Sequence, residues 1–93
     1  MEKAMTGAKI EVKKLEWELT EPGRFGAHTV CGLYEVMHET VGVWAGRWVI
    51  GRGGLILEDK ANEQEAKNFA QAHFESLIRS AIVAGTEVRR AVL

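Results

Sequence analysis

Ninety-three residues and 10.3 kDa make room for one domain with one hydrophobic core, and 46% apolar with 27% charged residues is ordinary for a globular chain. Twelve basic against thirteen acidic side chains give a net charge of -1, so bulk charge supplies no pull toward nucleic acid or anionic lipid. A lone cysteine, Cys31, excludes an intramolecular disulfide, and apolar runs such as Trp48-Val49-Ile50 stop far short of a membrane span.

The start of the chain has no apolar signal-peptide core, and a cytoplasmic location is the expectation. Eight of the ten glycines lie between Gly23 and Gly54 and the one proline is Pro22, so turns crowd the middle of the chain. The expected organisation is a single domain over 1–93. It comprises an extension at 1–14, a β-sheet at 15–61, a helix at 62–85 and a fraying tail at 86–93.

Ile10, Val12, Leu15, Trp17 and Leu19 suit an added strand or an arm lying on the sheet. Residues 24–30 alternate Phe25, Ala27 and Thr29 against Arg24, Gly26 and His28, the pattern of a half-buried strand. Cys31-Gly32 permits a reversal. Residues 33–39 then set Tyr34 and Val36 against Glu35, with Met37 apolar on the Glu35 side. After a turn at 39–42, residues 43–50 read as a strand apolar on both faces, interrupted only by Arg47. Gly51-Arg52-Gly53-Gly54 leads into the further β-run Leu55-Ile56-Leu57, so it reads as a hairpin turn and not as a phosphate-cradling loop, which opens a helix.

Asn62 is placed to cap a helix, with Glu63 and Glu65 in its first turn, where the dipole favours negative charge. Ala66, Ala70, His73, Leu77, Ala81 and Ala84 recur at three- and four-residue spacing, flanked by Phe69, Phe74, Ile78 and Ile82. Gly85 suits a terminator, so the helix is expected over 63–84. The fold expected is α+β: a small antiparallel sheet of three to four strands followed by one C-terminal helix packed across one face.

Few residues offer chemistry. His28, Cys31, His38 and His73 lack metal-ligand spacing, and His73 on the apolar stripe reads as a hydrogen-bonded core histidine. Ser76 and Ser80 sit inside the helix, and Cys31 reads as a small, buried residue of opposite strand parity to His28. No catalytic residue, metal or cofactor is expected. Trp17, Trp44 and Trp48 read as core packing under the helix. One helix covers one face of a sheet, so apolar side chains on the other face imply a partner surface, or a face covered by the N-terminal segment. The candidate partner-binding residues are Leu33, Met37, Val43, Ala45, Arg47 and Val49. The partner expected is a host or phage protein or a second copy of the chain.

The strand-strand-strand-helix order, with Ala66, Lys67 and Ala70 matching an AK-x-x-A helix, resembles the second half of a double-stranded-RNA-binding domain. That resemblance implies phosphate contacts at the start of the helix. Asn62, Glu63, Gln64 and Glu65 stand there, and acidic groups oppose phosphate binding. Over residues 15–84 the chain also resembles a group of short bacteriophage and prophage proteins. The resemblance rests on Trp17, Gly32-Leu33-Tyr34-Glu35-Val36, Trp44 or Trp48, Glu65-Ala66-Lys67 and Ala70-Gln71-Ala72-His73. It implies a non-enzymatic module acting in the host cytoplasm by binding a host protein, with anti-CRISPR and other anti-defence inhibitors among the possibilities of that class.

Overall fold

A computed structural model describes residues 12–92, with side chains described over 12–82. Among the described residues five strands, β1 (Glu18–Glu21), β2 (Arg24–Thr29), β3 (Gly32–His38), β4 (Trp48–Arg52) and β5 (Leu55–Lys60), precede one helix, α1 (Glu63–Val92). They form one antiparallel sheet in chain order, β1-β2-β3-β4-β5. The α+β architecture with a closing helix is as the sequence implies. The sheet has five strands, not three to four, because residues 18–21 pair with β2 as an edge strand.

The hairpins follow from local chemistry. Thr29 Oγ1 accepts the Cys31 N–H at 2.9 Å and donates to the Gly32 carbonyl at 2.7 Å, closing the β2–β3 turn. Gly53 and Gly54, at φ 62° and 86°, supply the two left-handed positions of a two-residue turn between Arg52 and Leu55. The expected hairpin at 51–54 is therefore present.

Alternation sorts the two faces. Phe25 pairs with Val36, Ala27 with Tyr34 and Val36 with Ile50, which places these residues on the helix side. Tyr34, Val36 and Ile50 are fully buried against Ala66, Ala70 and Phe74. The four-residue spacing of the two alanines brings the helix backbone close to the sheet, and α1 lies over β3, β4 and β5. Asn62 caps it as expected, accepting the Glu65 N–H at 2.9 Å.

Three expectations are corrected. Residues 43–50 are not one strand: 39–47 form a loop holding a short 3₁₀ turn, Gly42–Trp44, and β4 begins only at Trp48. Gly42 and Gly46 both adopt φ 81°, and the loop is closed by Glu39 N–H to Arg47 O at 3.0 Å and Gly46 N–H to Glu39 O at 2.8 Å. Trp44 consequently leaves the core, whereas Trp17 and Trp48 pack against it. The helix does not stop at Gly85 but continues to Val92, through the stretch expected to fray. Glycine inside a helix costs only about 0.5–1 kcal/mol relative to alanine and does not by itself force an end.

The N-terminal segment settles beside the helix. Leu15 N–H donates to Gln71 Oε1 at 2.8 Å, and Val12, Leu15 and Trp17 pack against the helix-side core. Of the apolar positions expected there, Ile10 lies outside the described residues, and Leu19 is on β1.

Candidate interaction surface

The face turned away from α1 is built from the other parity of the strands. One row crosses it as Glu18, Gly26, Glu35, Gly51 and Ile56, and the next as Arg24, Met37, Val49 and Asp59. Leu33 pairs with His28 beyond the first row. Two glycines leave hollows there, and two long side chains lie across them. A Cβ at Gly26 would sit 3.5 Å from Leu33 Cδ1, and one at Gly51 would sit 3.6 Å from Met37 Cε.

Val49, paired with Met37, is 1% exposed on this face, which no helix of the described residues covers, while Leu33 and Met37 stay half-exposed. Ion pairs lie among these apolar side chains, Glu35 standing between Leu33 and Met37 on β3. Arg24 and Glu35 approach to 3.8 Å, and Arg47 Nε donates to Asp59 Oδ2 at 2.7 Å. The described part of the N-terminal segment lies on the helix side, so it does not form the cover considered above.

Of the six candidate contact residues, Leu33, Met37 and Val49 share this face, Leu33 set apart from Met37 by Glu35 and Val49 buried, with Arg47 at its border. Val43 and Ala45 do not join the strand face. Both are on the 39–47 loop, and Val43 is 90% exposed. Ile56, 54% exposed, extends the strip and was not among the expected residues. Its alternation with Leu55 and Leu57 was the available signal, lost because the last strand reads as only three residues long.

Titratable side chains gather elsewhere in three clusters that could carry chemistry. On the helix side, the Tyr34 hydroxyl and His73 Nδ1 form a 2.7 Å hydrogen bond, as the apolar-stripe histidine implied. Burial pushes the Tyr34 phenol above its ordinary range, with the Arg52 charge opposing and Cys31 adding to the rise. Cys31 is half-buried against the core and its carbonyl accepts from Arg52, while His28 is exposed and pairs with Leu33 in the outward row. Lys67 forms the third cluster. Its ammonium lies 3.7 Å from the Phe25 ring centre, 5.8 Å from that of Trp17 and 2.7 Å from Glu63 Oε2.

A shallow groove of about 490 Å³ opens between residues 13–16 and 28–30, with Phe74 among its lining. Among the described residues no group of three or more His, Cys, Asp or Glu side chains could hold a metal ion. No described helix is long and apolar enough to cross a membrane. No known protein family, curated protein or solved structure matches the chain.

Proposed function

We propose that this chain is a non-enzymatic protein–protein interaction module that binds a partner protein with the sheet face opposite α1. One observation carries the reading: half-exposed Leu33 and Met37, on either side of Glu35, and exposed Ile56 share a face that, among the described residues, the helix and residues 12–17 leave open. The resemblance to small phage proteins gives the partner class as a host protein, and inhibition of a host defence system as the kind of role. The cell cytoplasm is the place where such a partner would be met.

The engagement of Lys67 favours this reading over double-stranded RNA. The lysine of the AK-x-x-A helix is tied to Glu63 and laid on Phe25, and it is not presented for a phosphate. Glu65 stands in the helix's first turn, where an RNA-binding helix needs positive charge.

Affinity capture from the host, followed by mass spectrometry, tests the proposal with the double variant Leu33→Glu, Met37→Glu as comparator. Both positions are half-exposed, so circular dichroism should report an intact fold. The expected result is a specific partner retained by the wild-type chain and lost by the variant. Equal retention by both would falsify the assignment of the face, and a shift of duplex RNA at low salt would replace it with the nucleic-acid reading.

A further inference from the structure

We infer that the groove between residues 13–16 and 28–30 is a second contact site, where an extended acidic segment of a partner protein adds to β2 at His28. The place is left open by a mismatch in strand length. β1 begins at Glu18, opposite Gly26, while β2 runs on to Thr29. Upstream of Glu18 the chain leaves the ladder for α1. Leu15 N–H donates to Gln71 Oε1 at 2.8 Å, and Gln71 Nε2 donates to the Lys13 carbonyl at 3.5 Å. Glu16, which would oppose His28 in a continued ladder, is not paired with it.

Antiparallel alternation fixes the direction of the His28 backbone. Its partner on β3 is Leu33, whose carbonyl accepts from Gly53 N–H at 3.2 Å and so faces away from β2. His28 and Leu33 are therefore a non-hydrogen-bonded pair, and His28 N–H and C=O are directed away from β3, to the side where the groove opens. A donor and an acceptor side by side on a strand edge are a template for another strand. A peptide matches both groups, whereas a phosphate, which only accepts at neutral pH, leaves the carbonyl unmatched.

The lining selects the occupant. The groove holds about 490 Å³, with Leu15, Val30 and Phe74 as its apolar wall and Lys13, Lys14 and Glu16 as its charges. Lys13 and Glu16 approach to 3.5 Å, which leaves Lys14 as a cation without an ion pair among the described residues. Neighbouring side chains of an extended segment point to opposite sides, so an apolar residue can face Phe74 while the next, a carboxylate, meets Lys14. A basic segment would set its own charge against Lys14.

Amide chemical shifts of the full chain, titrated with two capped hexapeptides, test the inference. One peptide alternates valine with glutamate, the other valine with lysine. A contact this small is weak, so the glutamate peptide is expected to shift the Lys14, His28 and Val30 amides saturably at about 1 mM. The lysine peptide should leave them in place. His28→Pro removes the outward donor where a sheet edge tolerates proline, and Lys14→Glu reverses the charge at an exposed position. Both variants should stay folded and bind the glutamate peptide about tenfold more weakly. In the free chain the His28 amide should exchange with solvent far faster than that of Ala27, which faces β3. A protected His28 amide overturns the inference. So do equal shifts from both peptides, shifts confined to Leu33 and Met37, or an equal response to inorganic phosphate.

Discussion

The Tyr34 hydroxyl and His73 Nδ1 meet at 2.7 Å across a separation of 39 residues, joining the central strand to the middle of α1. Around that bond the rings pack edge-on. Tyr34 and His73 centres are 5.8 Å apart at 73°, and Phe74 meets Tyr34 at 6.1 Å and 79°. A fully buried tyrosine would leave its hydroxyl desolvated without a partner, and the histidine supplies one.

Replacing Tyr34 with phenylalanine keeps the ring packing and removes the bond. The expected loss is about 0.5–1.5 kcal/mol in urea unfolding, small because His73 is half-exposed and can turn to water. A pH series separates the polar contribution from packing. Because burial raises the folded-state phenol above its unfolded value near 10.0, stability is full below that pH and falls as the unfolded chain ionises first. Melting temperature should therefore decline above pH 10 in the wild type and decline less steeply in Tyr34→Phe. Equal alkaline slopes would remove Tyr34 as a source.

The two glycines of the open face give opposite expectations for one substitution. A Cβ at Gly51 would come within 3.2 Å of the Leu55 carbonyl oxygen, a backbone atom that cannot swing aside. At Gly26 the nearest atom is the end of the Leu33 side chain at 3.5 Å, an ordinary contact. Gly51→Ala should cost about 1–3 kcal/mol, as overpacking does. Gly26→Ala should lie within about 1 kcal/mol of wild type, with reduced unfolded-state entropy on its side. Chemical denaturation of the two variants side by side decides the matter, and an equal cost would contradict the described β4–β5 register.

The parts of this fold legible in the sequence were those set by short-range pattern. Phe25/Ala27 and Tyr34/Val36 alternate cleanly, and the structure puts each pair on the helix side. The Asn62 cap, the alanine stripe and the buried-face histidine depend on helical period alone, and all three are present. Val43 and Ala45 misled because apolar residues in an extended-looking run give no warning that Gly42 and Gly46 will turn left-handed around them. Trp44 was drawn out of the core by the same two turns. The open face was only half legible: Leu33, Met37 and Val49 follow from parity. That Val49 is 1% exposed while its cross-strand partner Met37 stays half-exposed depends on long-range strand pairing that no local pattern encodes.

Lys67 tests how far the helix's first turns depend on the aromatic side of the sheet. Its ammonium makes a close contact with Phe25, and its side chain is 19% exposed in the ion pair with Glu63. Lys67→Met retains the apolar stem over the ring and removes the charge, so the expected cost is about 0.5–2 kcal/mol. Lys67→Ala should cost more through lost packing. If methionine proves neutral, the stem and not the cation stabilises the contact.

Val43 and Val49 were both expected on one strand, and the structure separates them: the former is 90% exposed on a loop and the latter 1% exposed in β4. Truncation to alanine should therefore give two very different results from the same chemistry. At Val49 the loss removes buried methyl groups from a tightly covered site, and about 1–3 kcal/mol is expected by the scale of buried large-to-small changes. At Val43 the change is expected within about 0.5 kcal/mol, as for surface positions that touch little. Matching losses would mean that Val43 is packed, as a strand running from 43 to 50 would require. The loop assignment, and with it the boundary of the interaction face at Val49, would then have to be abandoned.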